Sequence, residues 1–381
     1  MARGSVYRKG GGWAFRVDAG FQPGTGKRRQ MLKQGFRTKK DAENALGEAA
    51  RDASRGSVVS KSSVKVDEFL ADWLDNERSR LRPTTWHSYE MAVTRITRQL
   101  GRCNLQSLTP MQIEKFYSLL LASGGREGKP LAPKTVRNTH VVLRKALSDA
   151  ERLGLVIRNA AASAKPPTTT RPDHTTWSSD QVHEFFDAVE DDRLFAAYAL
   201  LATTGMRRGE VLGLRWSDVD FDGLQLAVSQ TLTTAGYKQI VIGPPKTPRS
   251  RRHIYLDART VEVLRDHRKH QREERLAVGQ AWDTSNDLVF RDELGAMIHP
   301  DQFSQDFGRV VRRLDAPRIR LHDLRHTYAT LALKSGIHPK VVSERLGHAS
   351  IGVTLDLYSQ VVPSIARDAA DLVAGAMYQQ R

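Results

Sequence analysis

The stretch that most limits how this chain folds is Ala160-Ala161-Ala162-Ser163-Ala164-Lys165-Pro166-Pro167-Thr168-Thr169-Thr170-Arg171-Pro172. It holds three prolines, no large apolar residue and no apolar periodicity, so an extended connector is expected there. A second run of small polar residues, Ala53-Ser54-Arg55-Gly56-Ser57 and then Ser60-Lys61-Ser62-Ser63, reads as a flexible linker. The 381 residues therefore divide into 1–63, 64–160 and 174–381, with 161–173 joining the last two. No repeat of fixed period appears, so a solenoid is not indicated.

Charge follows the same divisions. Lys and Arg number 59 against 43 Asp and Glu, a formal net charge of +16. Residues 1–63 hold fourteen basic and five acidic residues, residues 64–173 eighteen and eleven, and residues 174–381 twenty-seven of each. The whole excess sits in the first two segments, which points to a polyanionic partner: nucleic acid first, an anionic membrane surface second. With 40% hydrophobic residues the chain has material for real cores, which argues against wholesale disorder. No stretch approaches the roughly 20 apolar residues that cross a bilayer, and MARGSVYRKGGGWAF lacks the apolar region of a secretory signal. The lone Cys103 excludes an internal disulfide framework and a four-cysteine zinc module. The expectation is a soluble intracellular protein.

In the first segment Trp13, Phe15 and Val17 alternate with Ala14, Arg16 and Asp18, the period of a half-buried strand. Turn chemistry at Pro23-Gly24-Thr25-Gly26 precedes a return strand through Lys27–Lys33. Thr38 and Asp41 open a helix through Ala42, Ala45, Leu46 and Ala49. A small sheet on one helix results, and its strands carry Arg8, Lys9, Arg16, Lys27, Arg28, Arg29 and Lys33. One sheet face so dressed suits a DNA major groove; a solvated basic edge that blocks aggregation is the plainer reading.

From Val66 to Gly154 the pattern is helical. Phe69, Leu70, Trp73 and Leu74 make one apolar stripe; Tyr89, Val93 and Ile96 a second; Ile113, Phe116, Tyr117 and Leu120 a third; and Val136, Val141, Leu143 and Leu147 a fourth. Pro83 and Pro133 sit just inside two helix starts, where a missing N–H costs nothing. Those starts carry Arg82, Thr84 and Thr85, and Lys134, Thr135, Arg137 and Asn138, residue types that grip phosphate at a helix N-terminus. Ordinary capping explains the threonines without the adjoining bases.

The third segment opens with Ser178 and Gln181 capping a helix through Val182, Phe185, Phe186 and Val189, and an apolar helix follows from Leu194 to Leu201. Thr204-Gly205 ends it, and Arg207-Arg208 sits where the next begins, a place that suits anion binding better than a structural cation. Strands are expected at Leu224–Val228, Gln239–Ile242 and Arg252–Leu256, with Lys246 on the hairpin tip between the last two. A lysine at such a tip is usually solvated. In Leu321-His322-Asp323-Leu324-Arg325-His326, His322 and Arg325 share a helix face, as a proton-transfer group beside an anion clamp do. A structural helix with a surface arginine is the common rival; the zinc reading of His322-Asp323-x-x-His326 lacks the glutamate base and a third ligand. Gly336 and Pro339 divide two further helices. Leu346-Gly347-His348 is a turn, and Ser350 caps a short helix with Thr354 and Tyr358, a tyrosine that on its own reads as core filler.

Taken in order, Arg207 in Thr-Gly-x-Arg-x-x-Glu, Lys246, His322-x-x-Arg325, Leu-Gly-His348 and Tyr358 resemble the tyrosine recombinase, or phage integrase, family. The resemblance extends over the first two segments as an arm-site sheet module and a SAM-like core-site helical domain. It implies a multidomain α+β chain: three-stranded sheet plus helix, four-helix domain, and a mainly α catalytic domain with a small antiparallel sheet. It also implies Tyr358 as nucleophile on a DNA phosphodiester, Arg207 and Arg325 as clamps on the non-bridging oxygens, and His322 as base. Lys246 would be the acid to the leaving 5′-oxygen, His348 a donor to the phosphate, and Glu210 a support to Arg207. No metal or other cofactor is implied. The implied partners are core-type and arm-type double-stranded DNA and three further copies of the chain, with the tail of Ile365, Ala369, Leu372 and Val373 exchanged between protomers. A DNA-bending host factor and an excisionase join them, with no membrane. The implied place is the bacterial cytoplasm, at the nucleoid. Asn159-Ala160 stands where relatives often have Asn-Pro. A non-catalytic DNA-binding regulator and a type IB-like relaxing enzyme are the alternatives.

Overall fold

The computed structural model describes residues 4–21, 28–54, 61–169, 175–236, 239–245, 250–348, 350–352, 354–355, 374 and 377–378, with the backbone alone at 19–21, 28–29 and 52–54. The chain forms two compact units, 1–170 and 171–381.

In the first unit, β1 (Gly4–Lys9), β2 (Gly12–Phe21) and β3 (Arg28–Phe36) make an antiparallel sheet in that order, followed by α1 (Lys39–Ser54). Thr38 Oγ1 accepts the Asp41 N–H at 3.1 Å, the cap expected from the sequence. Phe15 and Val17 bury against Ala49, with Val6, Met31, Phe36 and Leu46 around them. The register corrects one expectation. Lys33 lies opposite Phe15 and Arg8 opposite Trp13, on the face that α1 covers, while Arg16 lies opposite Leu32 and Ser5 on the other. The basic residues therefore do not share one sheet face.

Four helices follow: α2 (Val66–Arg78), α3 (Pro83–Leu100), α4 (Pro110–Ser123) and α5 (Pro133–Arg152). Pro83 and Pro133 are first helical residues, and Thr109 with Gln112 closes a capping box on α4. The core joins Phe69, Leu70, Trp73, Ile96, Ile113, Phe116, Leu143 and Leu147. Val141 is not in it: the side chain is 55% exposed, and Val142 is the buried neighbour. The connector is also corrected at its start. Asn159 Oδ1 accepts the Ala161 and Ala162 N–H groups and opens a single turn, α6 (Ala160–Ser163). Ala160, Ala161 and Ala164 then pack into the helical core, because small side chains allow close approach.

The second unit contains α7 (Ser179–Ala188), α8 (Phe195–Thr204) and α9 (Arg208–Leu212). Then come β4 (Val219–Asp220), β5 (Gln225–Val228), β6 (Thr231–Ala235), β7 (Gln239–Gly243) and β8 (Arg252–Tyr255), and finally α10 (Ala258–Val278), α11 (Pro300–Val311), α12 (Asp323–Lys334) and α13 (Pro339–Leu346). Helix α8 is apolar on nearly every side and is buried accordingly, its Tyr198 ring stacked 5.0 Å from Phe303. Phe185, Phe307 and Trp177 complete that aromatic centre. The strands form two sheets, β4-β5-β8 and β6-β7. Strands β7 and β8 therefore belong to different sheets and do not pair as the two arms of the expected hairpin, whose tip at Lys246 lies outside the described residues. Alternation fixes a strand's faces but not its partner.

Candidate active site

Two glycines in left-handed conformation build the site's frame. Gly205 (φ 65°) ends α8 and gives its N–H to Leu201, which leaves its own carbonyl outside the helix. A Cβ there would fall 2.4 Å from Leu346 Cδ2 and 2.7 Å from the Tyr328 ring, so no larger residue fits. Gly347 (φ 66°) ends α13 in the same way. The carbonyls released at these two helix ends converge on two arginines. Arg325 donates to Gly205 O (2.7 Å) and Leu346 O (2.8 Å); Arg207 donates to Gly347 O (2.9 Å).

Glu210 completes the frame. Its carboxylate takes the Arg207 backbone N–H (3.0 Å) and Nη1 (2.7 Å), and both Nη groups of Arg252 (3.2 and 2.9 Å). Burial of this 3%-exposed carboxyl pushes its pKa up, but the hydrogen bonds and charges of Arg252 and Arg207 outweigh that and hold it below the usual range. Arg252 also reaches Arg345 O (2.6 Å), tying β8 to α13. Arg208 turns elsewhere, to Pro300 O, Asp301 and Ser304 of α11, so of the adjacent pair Arg207 is the one in this frame.

The two guanidiniums differ in exposure. Arg207 is 37% exposed along its side chain, whereas Arg325 is buried at 3%. Burial, then the Arg207 charge, pushes Arg325 down to about 9. His322, at the start of α12, is lowered by burial and by Arg325, and its ring meets His326 edge-on at 5.3 Å. Asp323 beside it is committed to Arg320, at 2.8–3.0 Å. The His348 backbone N–H donates to Ser343 O, and its ring Nδ1 lies 2.8 Å from Thr354 Oγ1. Burial, then Arg325 and Arg207, push it down to about 4. Both imidazoles are thus neutral at neutral pH, beside two cations.

The structure accordingly brings Arg207, Glu210, His322, Arg325 and His348 together, and adds Arg252, which the sequence reading passed over. Lys246 and Tyr358 lie outside the described residues, as do Lys27 and the tail residues Ile365, Ala369, Leu372 and Val373. Arg28 and Arg29 fall within β3, with side chains outside the description. In the first unit Arg8, Lys9, Arg16, Lys33, Arg82, Lys134, Arg137 and Asn138 are exposed, and Thr84, Thr85 and Thr135 half-buried.

A sheet-and-helix module, a helical domain and a mainly α domain with small sheets make the fold of a tyrosine-type site-specific recombinase. An integrase of transposon Tn1549, solved with transposon right-end DNA, superposes with a TM-score of 0.68 at 20% identity over 81% of this chain and 99% of that one. Lambda integrase bound as a dimer to a core site gives 0.57 at 19% identity, over 93% and 94%. Residues 176–364 match the profile of the phage integrase family, 5–51 that of an arm DNA-binding domain, and 65–121 that of the phage integrase N-terminal SAM-like domain. The chain belongs to the phage integrase family of tyrosine recombinases. Its relatives include a XerC-like tyrosine recombinase of Caldanaerobacter subterraneus subsp. tengcongensis, 27% identical over 97% of this chain and 98% of that one. The ICEBs1 integrase of Bacillus subtilis is 25% identical, over 93% and 95%.

Proposed function

We propose that this recombinase cuts and rejoins DNA through a covalent 3′-phosphotyrosyl link on Tyr358, to integrate and excise a phage or other mobile element. The Tyr358 oxygen adds to phosphorus and the 5′-oxygen leaves; His322 takes the tyrosine proton and Lys246 supplies one to the leaving oxygen. Attack by a 5′-hydroxyl on the phosphotyrosine reverses every step. The observation that carries the reading is the Arg207–Arg325 pair, whose carbonyl partners and Glu210 fix two forked donors beside neutral imidazoles. A neutral His322 is fit to accept a proton. We assign the Thr354 hydroxyl, 2.8 Å from Nδ1, as the donor, which leaves the His348 proton on Nε2 to be donated to a phosphate oxygen.

Separate basic modules, residues 1–63 for arm-type and 64–160 for core-type sites, hold the DNA. Strand exchange places four copies on two duplexes, with C-terminal tails exchanged; a DNA-bending host factor and an excisionase set its direction. Binding of DNA by the Tn1549 and lambda integrases supports the DNA partner, and a lambda integrase tetramer on a Holliday junction (TM-score 0.57) supports the assembly. The test is a nicked duplex whose released fragment diffuses away. Intact chain accumulates a protein–DNA adduct and Tyr358→Phe does not. An adduct with the Phe variant removes Tyr358 as nucleophile, and DNA binding with no adduct from either favours a regulator.

A further inference from the structure

The solvent face of α5 is a continuous stripe, Lys134, Arg137, Asn138, Val141, Arg144 and Ser148, at the three- and four-residue spacing of one helix side. No carboxylate occurs between Pro133 and Ser148. In the middle of this cationic stripe stands Val141, 55% exposed, although the helix buries Val136, Val142, Leu143, Ala146 and Leu147. Beside it runs a groove of about 1000 Å³, lined by Arg137, Val141, Arg144 and Lys145 against residues 162–168. Packing inside the domain does not explain an apolar side chain here, since the core stripe is complete without it.

Resting on the DNA reading above, we propose that α5 reads base sequence in the major groove, with Val141 against a thymine C5-methyl and Asn138 on the edge of a neighbouring adenine. Chemistry selects this occupant. Lys and Arg complement phosphate, the thymine methyl is the one apolar group on the major-groove floor, and an Asn side-chain amide matches adenine N6 and N7 in two hydrogen bonds. Residues three apart on a helix are about 4.5 Å apart along its axis, near enough for Asn138 and Val141 to reach neighbouring base pairs, whose step is roughly 3.4 Å. The groove beside the stripe, with Arg137 and Arg144 on it, takes a phosphate strand.

The test uses the full chain and a duplex recovered from a randomised pool by its binding to that chain. Each thymine is then replaced by uracil, which deletes only the methyl. Wild type should lose about fourfold in affinity at one or two positions, the factor for hiding one methyl-sized group from water. Val141→Ala should bind the thymine and uracil duplexes alike, with an unchanged salt slope because no phosphate contact is lost. Asn138→Ala should relax preference at the adjacent A·T pair. Selective binding without any uracil effect, or uracil discrimination that survives Val141→Ala, overturns the assignment and leaves the recombinase reading intact. A chain that enriches no duplex overturns both. Alanine at exposed position 141 raises helix propensity, so misfolding does not confound the result.

Discussion

Replacing Glu210 by glutamine tests whether one carboxylate holds the site together. Glutamine keeps the volume and one acceptor oxygen, but it removes the charge and turns an N–H₂ toward one of two guanidiniums. Arg207 and Arg252 both donate to this carboxylate at 2.7–3.2 Å, and Glu210 is 3% exposed while the Arg252 side chain is 8% exposed. Removing one partner of a buried ion pair costs about 3 kcal/mol or more. With a urea m-value of about 2 kcal/mol/M, the midpoint of residues 171–381 should fall by roughly 1.5 M. If the two compact units unfold as separate transitions in the full chain, only that of 171–381 should move. The pH dependence has a definite sign. The folded carboxyl titrates below its ordinary 4.5, so its stabilisation is complete above that value and is lost as pH falls through the lower folded value. The gap between wild type and Glu210→Gln should therefore be flat from neutral pH to about 5 and close in stronger acid. A midpoint change below about 0.5 M, equal movement of both transitions, or a gap that persists in acid would refute the reasoning.

Two further outcomes follow from charge. His348 titrates at about 4 in the folded chain against 6.5 ordinarily, so between those values the unfolded chain binds more protons and stability falls as pH descends. Wild type should thus lose more stability between pH 7 and 5 than His348→Asn, and equal losses in urea titrations would show that the imidazole is not buried beside the arginines. Deleting residues 1–63 removes fourteen cations, so DNA affinity and the slope of log K against log salt should both fall while cleavage of a single core site persists. An unchanged slope in binding titrations would detach the basic segment from DNA.

Local chemistry made much of this fold legible. Ser178 and Gln181 form their capping box as spaced, Gly205 ends α8, and Phe69, Leu70 and Trp73 bury together. What stayed hidden depends on partners distant in sequence. The pairing of β8 with β5 instead of β7 is settled by which apolar faces meet, and Leu226 and Ile254 meet across β5 and β8. The faces of Arg8 and Lys33 depend on cross-strand register. Val141 and Val142 are chemically alike, and only the angle of α5 against the core tells them apart. Helix α10 left little sequence signal because it anchors through Val261, Leu264, His267 and Gln271, two of them polar. In the site, the Thr-Gly-x-Arg-x-x-Glu and His-x-x-Arg spacings were visible. Arg252 was not, although it lies two residues before the inward-facing Ile254 and that parity points it inward too.

The charge count inside the site adds to desolvation in lowering the pKa values of His322 and His348. Among the described residues, Arg207, Arg252 and Arg325 face the one carboxylate of Glu210, a local excess of two positive charges in a unit whose net charge is zero. On the proposed reaction a phosphodiester brings one negative charge, and a second develops as the nucleophile adds. The excess therefore matches the transition state better than the bound substrate, which is the condition for lowering the barrier instead of merely tightening binding. Protonated His322 and His348 would double the local excess and hold the ground state as well. They would also remove the acceptor that a phenol needs. Desolvation first and the charges of Arg325 and Arg207 second lower the pKa values of both histidines, which keeps the base of the proposed reaction able to accept a proton.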